Sequence, residues 1–281
     1  MRRILSIDRA ARRPAGADFG FTLIELVVVL VLVGILGAVV AMFGSPIRAG
    51  IDGQRRTELA DAADTAYRRM ARDLRRALPN SIRVVGSTLE FIPTKNGGRY
   101  VDVADGSGNF LSFTDAGKLD FDFSGTDADA SVAVADNDFI VIGNWGTDPA
   151  NAYCSGDTCN NRAKITVSGN TATMTPSNPF PALGAEYASP GSRFQVVGGS
   201  EKAVTYDCSG GSLTRRWNYG FNGEAGGSTA VLANNIQCSF SYNQFDADLW
   251  GLIHIQFSMV SSDLPGETVT LVYQLHVDNT P

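Results

Sequence analysis

The chain has 281 residues, 44% of them hydrophobic and 19% charged, and this composition excludes a wholly disordered protein. The formal net charge of −6 argues against a nucleic-acid-binding protein, because contacts to phosphate require clustered Lys and Arg. The charge is unevenly distributed. Residues 1–20 carry five Arg and two Asp, whereas residues 81–281 carry 10 basic and 21 acidic side chains. A basic start, an apolar stretch and an acidic body together indicate a chain threaded through a membrane.

The apolar stretch covers residues 21–43 (FTLIELVVVLVLVGILGAVVAMF) and contains one charged residue, Glu25. About 20 helical residues cross the ~30 Å hydrocarbon core of a bilayer. Leu, Ile, Val and Phe dominate the stretch and favour insertion by about 7 kcal/mol, which exceeds the cost of about 3 kcal/mol for one carboxylate. The sequence therefore predicts a transmembrane helix over residues 21–43. The preceding Arg residues favour a cytoplasmic N-terminus and an exported body.

Two simpler targeting segments compete with this interpretation. A cleavable secretory signal has an apolar core of about 7–15 residues and a small-residue cleavage site, for which Val39-Val40-Ala41 would serve. The apolar run is longer than that, and a carboxylate inside it is unusual. An ordinary signal anchor explains the length of the run but not Glu25.

The stretch GFTLIE (residues 20–25) follows the basic leader and opens the apolar run. It resembles the class III signal of type IV prepilins and type II secretion pseudopilins. The resemblance implies that a prepilin peptidase cleaves between Gly20 and Phe21, and that the new N-terminal residue, Phe21, is N-methylated. Residues 1–20 would then be a leader, and the mature chain would keep 261 of the 281 residues.

Glu25 also has a physical role that can be argued without the resemblance. A carboxylate in an apolar helix is tolerated when it finds a cation, and cleavage creates one at the amine of Phe21. We expect the amine of an arriving subunit to pair with Glu25 of a neighbour that is already assembled. This assembly salt bridge would fix the axial stagger between helices, and Gly34 and Gly37 would allow their close approach.

Residues 44–79 predict an amphipathic continuation of the helix. Gly44-Ser45-Pro46 predicts a kink or a short irregular break, and Pro79 predicts the stop. Within residues 54–78, seven Arg and four acidic residues cover the outer faces, either as solvated surface or as a contact for an acidic neighbour or lipid head groups. The apolar stripe is expected to pack on a sheet. It consists of Leu59, Ala63, Ala66, Met70, Leu74 and Leu78.

Residues 80–281 predict a periplasmic or extracellular body rich in β-strands, without an internal repeat or a second-domain linker. Twelve strands are predicted from apolar alternation and turn signals. They cover residues 82–85, 88–92, 119–123, 139–142, 163–167, 171–175, 194–197, 203–206, 213–217, 236–242, 252–259 and 268–277. One long N-terminal helix against an antiparallel sheet is an α+β fold. The resemblance implies that this fold is pilin-like.

Four cysteines, all beyond the apolar stretch, favour an oxidising compartment such as the periplasm. They allow three disulfide pairings. We favour Cys154 with Cys159, which closes a short loop, and Cys208 with Cys238, which joins two late strands. Zinc binding is the competing use, but no Cys-x-x-Cys spacing and no nearby His supports it.

Several further stretches resemble the minor pilins of the mannose-sensitive haemagglutinin (MSHA) pilus system. They are RRALPNSIR (75–83), LEFIP (89–93), GRY (98–100) and the ending HVDNTP (276–281). Residues 204–206, 213–215 and 232–242 also resemble large minor pilins and J-type pseudopilins. Residues 101–200 match nothing specific.

This resemblance implies the partners and location of the chain. The partners would be the prepilin peptidase and N-methyltransferase, other major and minor pilins, an inner-membrane assembly platform, and membrane lipid before assembly. No nucleic-acid partner is predicted. The chain would cross the inner membrane once, with its C-terminal body in the periplasm, and would then enter a pilus on the cell surface.

An enzyme is not expected, because the sequence contains no nucleophile elbow, metal-binding HExxH helix, phosphate loop or dinucleotide fingerprint. His254 and His276 lie in predicted strands, where packing or exposure is their ordinary role. No cofactor is predicted. Calcium is a weaker candidate, because Asp127, Asp129, Asp136 and Asp138 are close in sequence, and Asp102, Asp105 and Asn109 form a second group. Neither group has EF-hand spacing, and acidic loops are more commonly just solvated.

Three functions therefore remain open. The first is a minor pilin that primes or caps a type IV pilus, and the second is a J-type pseudopilin of a type II secretion system. The third is a pilus-tip adhesin whose tryptophans, Trp145, Trp217 and Trp250, stack on a surface glycan, although in a β-rich body these are more commonly core or loop anchors.

Overall fold

The computed structural model describes residues 21–102, 108–129, 131–244, 250–260 and 268–280. The chain divides into two compact units, Met1–Gln54 and Arg55–Pro281. The first contains the apolar part of a long helix, and the second contains the rest of that helix and all the strands. Helix and antiparallel strands together make an α+β fold, as predicted.

Helix α1 runs without interruption over Leu23–Leu74, a length of 52 residues. The irregular break that was predicted at Gly44-Ser45-Pro46 is therefore wrong, because the backbone is helical throughout this stretch. Extending an existing helix adds one hydrogen bond per residue, whereas stopping and restarting requires a new nucleus. A proline removes only one backbone donor. Strongly helical stretches on both sides therefore carry the helix through it.

The helix ends at Leu74, earlier than the predicted stop at Pro79. The backbone N–H groups of Arg76 and Ala77 bond to carbonyls three residues back, at 3.0 and 3.1 Å, and these bonds tighten the last turn. Leu78 belongs to the predicted stripe and is buried, but its N–H bonds to Ile92 O at 2.7 Å outside the helix. A residue that precedes a proline avoids the helical region, so the helix could not have continued through Leu78, and the contact with Ile92 ends it earlier.

Among the described residues, fourteen strands follow the helix, and they include all twelve that were predicted, with small shifts at their ends. They are β1 (Arg83–Val85), β2 (Thr88–Phe91), β3 (Asn96–Tyr100), β4 (Asp120–Ser124), β5 (Phe139–Val141), β6 (Arg162–Ser168), β7 (Thr171–Thr175), β8 (Arg193–Val197), β9 (Val204–Asp207), β10 (Ser212–Trp217), β11 (Ser228–Asn234), β12 (Ile236–Gln244), β13 (Trp250–Val260) and β14 (Thr268–Asp278). Strands β3 and β11 were not predicted. A short helix α2 (Phe180–Leu183) and a 3-10 turn (Ala185–Tyr187) precede β8.

The strands form three antiparallel sheets. One has five strands in the order β1-β2-β9-β10-β11, and another has three in the order β12-β13-β14. The remaining six close a barrel in the order β3-β4-β7-β6-β5-β8. The prediction of helix and strands is confirmed, but the barrel was not foreseen.

The apolar stripe of α1 packs on the two open sheets, as predicted. Ala63, Ala66, Met70 and Leu74 are at most 3% exposed, and Leu59 packs at the margin. Their core partners come from both sheets, and these include Leu89, Phe91, Val204, Tyr206, Leu213, Ile253, Ile255 and Phe257. Burying a large apolar side chain stabilises a fold by roughly 1.5–3 kcal/mol, so this contact is the main attachment of the helix to the body.

The barrel has its own aromatic core. Phe194 meets Phe121 and Phe123 edge-on, with ring centroids 6.2 and 5.9 Å apart. Its strand β3 was missed because Asn96-Gly97-Gly98 looks like a turn. Glycine is required at position 98, since a Cβ there would lie 2.8 Å from Thr126 Cγ2 and 2.9 Å from Phe194 Cζ.

Two disulfides join Cys154 to Cys159 and Cys208 to Cys238, which are the pairings that the sequence favours. The first closes a short loop between Cys154 and Cys159, and the fully buried Arg162 contacts the inner side of this loop. Its guanidinium donates to the carbonyl oxygens of Ala152 and Gly156 and lies 3.4 Å from the centroid of the Phe221 ring. Burial lowers the pKa of Arg162 to about 10. The second disulfide joins the end of β9 to β12, and so links the two open sheets.

The two disulfides are expected to differ in their contribution to stability. Cross-linking restricts the unfolded chain more when the closed loop is longer, and the separations are 30 residues for Cys208–Cys238 and 5 for Cys154–Cys159. We expect Cys208→Ala with Cys238→Ala to cost about 3–4 kcal/mol, and Cys154→Ala with Cys159→Ala about 2 kcal/mol. Equilibrium unfolding in urea measures both. A larger loss for the short loop would contradict this account.

Candidate functional site

The first part of α1 is apolar, and its side chains are not packed against other residues of its unit. Leu23–Met42 has a mean hydropathy of 3.0 and no buried residue, and it is long and apolar enough to cross a membrane. Every side chain from Phe21 to Met42 is exposed. A core helix of a soluble protein would bury most of such a surface. This segment therefore requires lipid or other apolar helices around it.

Glu25 occupies the first turn of this helix. Its backbone N–H donates to Thr22 Oγ1 at 3.3 Å, so Thr22 caps the helix. The spacing Thr22-x-x-Glu25 is that of a capping box, a signal that was present in the sequence but was not used in the prediction. A carboxylate in the first turn is favourable because the helix dipole makes that end positive.

The same helix dipole makes a positive charge at Phe21 unfavourable. Glu25 can offset this by pairing with an amine at that position. Phe21 is 81% exposed and lies two residues before the helix. An amine created at Phe21 by cleavage would stand at the positive end of the dipole, where it needs a carboxylate within reach. Glu25 lies one turn away in its own chain, and it remains exposed for a neighbouring copy. The arrangement suits charge pairing between staggered helices.

Other parts of the predicted site are placed as follows. Gly20 and the rest of the predicted leader, residues 1–20, lie outside the described residues. A Cβ at Gly34 or Gly37 would meet nothing within 4 Å, so the helix surface is open at both positions. Residues 17–41 match a family model. The model is described as the prokaryotic N-terminal methylation motif.

The methylation motif covers the predicted cleavage site, Phe21 and Glu25, and it matches 25 of the 281 residues. It supports a type IV pilin-like or pseudopilin protein that is processed by a prepilin peptidase and has pilin partners. Together with a single apolar N-terminal helix, it is consistent with membrane anchoring and a pilus. Comparisons with curated proteins and with solved structures gave no match for this chain.

Processing at the methylation motif can be tested at Gly20. A prepilin peptidase must reach the peptide bond after this residue, so Gly20→Trp is expected to leave the chain 20 residues longer than the wild type. The wild type and the variant are compared by immunoblot of membrane fractions, with Gly16→Trp as the matched control in the leader. A variant that migrates with the wild-type mature chain would contradict the assignment of the cleavage site.

A buried ion network lies where α1 meets the strands, and no local pattern in the sequence indicates it. Asp73 was expected on an outer face of the helix, but it is only 6% exposed. Asp73 Oδ2 accepts from Arg215 Nε and from Tyr206 Oη, both at 2.8 Å. Arg215 also donates to Glu201 Oε1 at 2.6 Å. The network fixes the end of α1 to β9 and β10.

Protonation states in this network follow from burial and charge. Burial, followed by the negative charge of Asp73, raises the pKa of Tyr206, which therefore stays a neutral donor. Burial alone would lower the pKa of Arg215. The hydrogen bond to Glu201 and the charge of Asp73 outweigh burial, so the pKa of Arg215 is raised. The network thus holds a permanent cation between two carboxylates.

The calcium candidates have other hydrogen-bonding roles. Asp127 and Asp129 cap their own loop, each accepting a backbone N–H two residues on. Asp136 accepts the N–H of Val167 at 2.8 Å, and the buried Asp138 pairs with Lys95 at 2.6 Å. Among the described residues, no three His, Cys, Asp or Glu side chains gather as a metal site.

The second calcium group is only partly described. Asp105 lies outside the described residues. Asn109 donates its backbone N–H to Asp122 Oδ2 at 3.1 Å. This contact ties the Asn109 backbone to β4.

The aromatic and histidine candidates lie in different environments. Trp145 and Trp250 are 49% and 56% exposed, whereas Trp217 packs on the helix core and lies 5.2 Å from the Arg215 guanidinium. His254 is half-buried on β13, where its Nδ1 lies 3.4 Å from the Gln274 amide, and His276 is exposed on β14. Both histidines thus lie on strands, one half-buried and one exposed, which are ordinary positions for histidine.

Proposed function

We propose that the chain is a minor pilin of the MSHA type that takes part in type IV pilus assembly, priming or capping the fibre. The observation that carries the proposal is the exposed apolar helix that is capped by Thr22 and has Glu25 in its first turn, next to the proposed cleavage site. Pilus assembly requires a helix that can leave lipid and enter a bundle of other helices. A helix whose surface is entirely exposed and apolar meets that requirement.

The proposed partners follow from this surface. The prepilin peptidase and N-methyltransferase process Gly20 and Phe21, the assembly platform receives the chain from the inner membrane, and major and minor pilins surround α1 in the fibre. The body stands in the periplasm before assembly, where its two disulfides form. The role is structural, and no catalytic activity is proposed.

A deletion strain tests the proposal against the pseudopilin alternative. We expect loss of surface pili in electron micrographs and normal export of the substrates of type II secretion, with the pili restored by a plasmid copy. Normal pili together with lost secretion would contradict the minor-pilin function and support a J-type pseudopilin. The sequence motif alone does not separate the two, because both machines use the same signal.

The adhesin alternative is favoured by the two exposed tryptophans, Trp145 and Trp250. Exposed aromatic faces stack on sugars. Trp217 is excluded as a glycan contact because it packs on the core. A glycan array probed with the full chain would support adhesion if binding is lost on Trp145→Ala or Trp250→Ala but kept on Trp217→Phe. A silent array would leave assembly as the whole role.

A further inference from the structure

The outer face of the barrel carries three polar side chains in one row across three strands. Arg99 on β3 is paired directly with Ser124 on β4 and with Arg193 on β8. Directly paired residues of antiparallel strands point to the same face, with Cβ atoms about 4.5–5.5 Å apart. All three are exposed, whereas the adjacent Tyr100 and Phe194 point into the barrel. We name these three residues the arginine row.

The arginine row places two like charges directly opposite each other, which destabilises a sheet. The barrel segment, residues 96–197, holds twelve acidic and five basic side chains, so carboxylates are abundant there. Within the part of the chain that the structure describes, no ion pair joins Arg99 or Arg193 to any of them. Among the described residues, the positive charge of the row therefore has no ion-pair partner.

The carboxylate two residues from Ser124 on the same strand has other partners. Asp122 Oδ1 accepts from Thr171 Oγ1 at 2.6 Å, and its Oδ2 accepts the backbone N–H of Asn109 at 3.1 Å. These hydrogen bonds lower the pKa of Asp122, the Thr171 bond most, and hold the carboxylate toward β7. Asp122 thus stays ionised without neutralising the row.

Both arginines are held at the same reverse turn. Arg193 Nε donates to Pro190 O at 3.2 Å. The Arg99 guanidinium lies over Gly191, where a Cβ would be 3.7 Å from Nη1 and 3.9 Å from Cζ. Gly191 has a φ of +73°, a conformation that glycine adopts without strain. The turn therefore contacts both guanidinium groups, and both arginine side chains are exposed.

The charge of the row selects the ligand. Two guanidinium groups are neutralised by a dianion, and their planar N–H donors match the oxygens of phosphate in paired hydrogen bonds. A phosphate monoester carries a charge of about −1.5 to −2 at pH 7, whereas a carboxylate or a sulfate ester carries only about −1. We propose that the arginine row binds a dianionic phosphate group, as free phosphate or as a monoester on a sugar or a lipid. Ser124 supplies a third donor. This site goes beyond the function in pilus assembly.

Calorimetric titration tests the site in the full chain, solubilised in an uncharged detergent at constant ionic strength. Inorganic phosphate is expected to bind saturably, and Arg99→Gln or Arg193→Gln to weaken it at least tenfold. Arg75→Gln is the matched control, because it removes one exposed charge just beyond the end of α1, away from the row. Glucose 6-phosphate and dihexanoyl phosphatidic acid, titrated in parallel, distinguish a sugar from a lipid source by the tighter affinity. Absence of saturable binding, or equal binding by the double variant with both Arg99→Gln and Arg193→Gln, would overturn the proposal.

Thermal unfolding separates binding from a structural role. Since each substitution removes a like-charge contact, both variants are expected to melt no lower than the wild type in phosphate-free buffer. Phosphate at ten times its Kd should raise the Tm of the wild type by about 3–6 °C and leave the double variant unchanged. Variants that melt several degrees lower without phosphate would show that the arginines hold the turn, and would contradict a site built for an anion.

Discussion

Glu25→Val is expected to abolish incorporation of the chain into a fibre while leaving its insertion in the membrane intact. The substitution removes the carboxylate cost of about 3 kcal/mol from the apolar helix, so insertion becomes easier. It also leaves the amine of Phe21 without a partner in the apolar bundle, where an uncompensated charge costs several kcal/mol. A deficit of about 3 kcal/mol corresponds to a loss of more than a hundredfold in incorporation.

The measurement is the ratio of sheared fibre to membrane fraction, quantified by immunoblot in a strain that lacks the wild-type chain. Asp61→Asn is the matched control, because it neutralises an exposed carboxylate on α1 outside the apolar segment. It should assemble normally. Normal incorporation of Glu25→Val would show that this carboxylate does not set the register between subunits.

The second large effect concerns the buried ion network. Asp73→Asn is expected to destabilise the body by about 3–5 kcal/mol, because it leaves the buried Arg215 with one carboxylate instead of two. Unfolding of the detergent-solubilised chain in urea measures this. In a Trp145→Phe/Trp250→Phe background, the fluorescence of Trp217, whose ring lies 5.2 Å from the Arg215 guanidinium, reports on the site itself.

Asp64→Asn is the control for Asp73→Asn on the same helix. It breaks the ion pair between Asp64 and Arg68, whose side chains are 42% and 75% exposed. An exposed pair of this kind contributes about 0–1 kcal/mol. Equal losses in the free energy of unfolding for the two substitutions would mean that the buried Asp73 contributes no more to stability than the exposed Asp64.

The strands were predictable because their signals are local. Apolar alternation over residues 119–123 and the two-residue turn at Gly86-Ser87 depend on neighbours in the sequence, and β4, β1 and β2 follow from them. The stripe of α1 was predictable for the same reason, with its period near 3.6 residues. Its exact end was not, since a contact between Leu78 and the distant Ile92 decides it.

The barrel and the ion network were not predictable, because both depend on residues far apart in the chain. Closing the barrel pairs Asn96 with Val196, and the network joins Asp73 to Arg215. No local periodicity encodes such contacts. The candidate site differs from the barrel and the ion network, because its residues are neighbours in the sequence. The motif around Phe21 and Glu25 is continuous in sequence, so the site was predicted in advance, and the structure adds the capping role of Thr22.

Mass spectrometry of the N-terminal peptide of the chain recovered from cells tests the central claim most directly. The claim is that cleavage after Gly20 creates the charged partner of Glu25. The account predicts a peptide that begins at Phe21 and carries one methyl group on its amine. A chain that begins at Met1, or at a residue beyond Ala41, would contradict it.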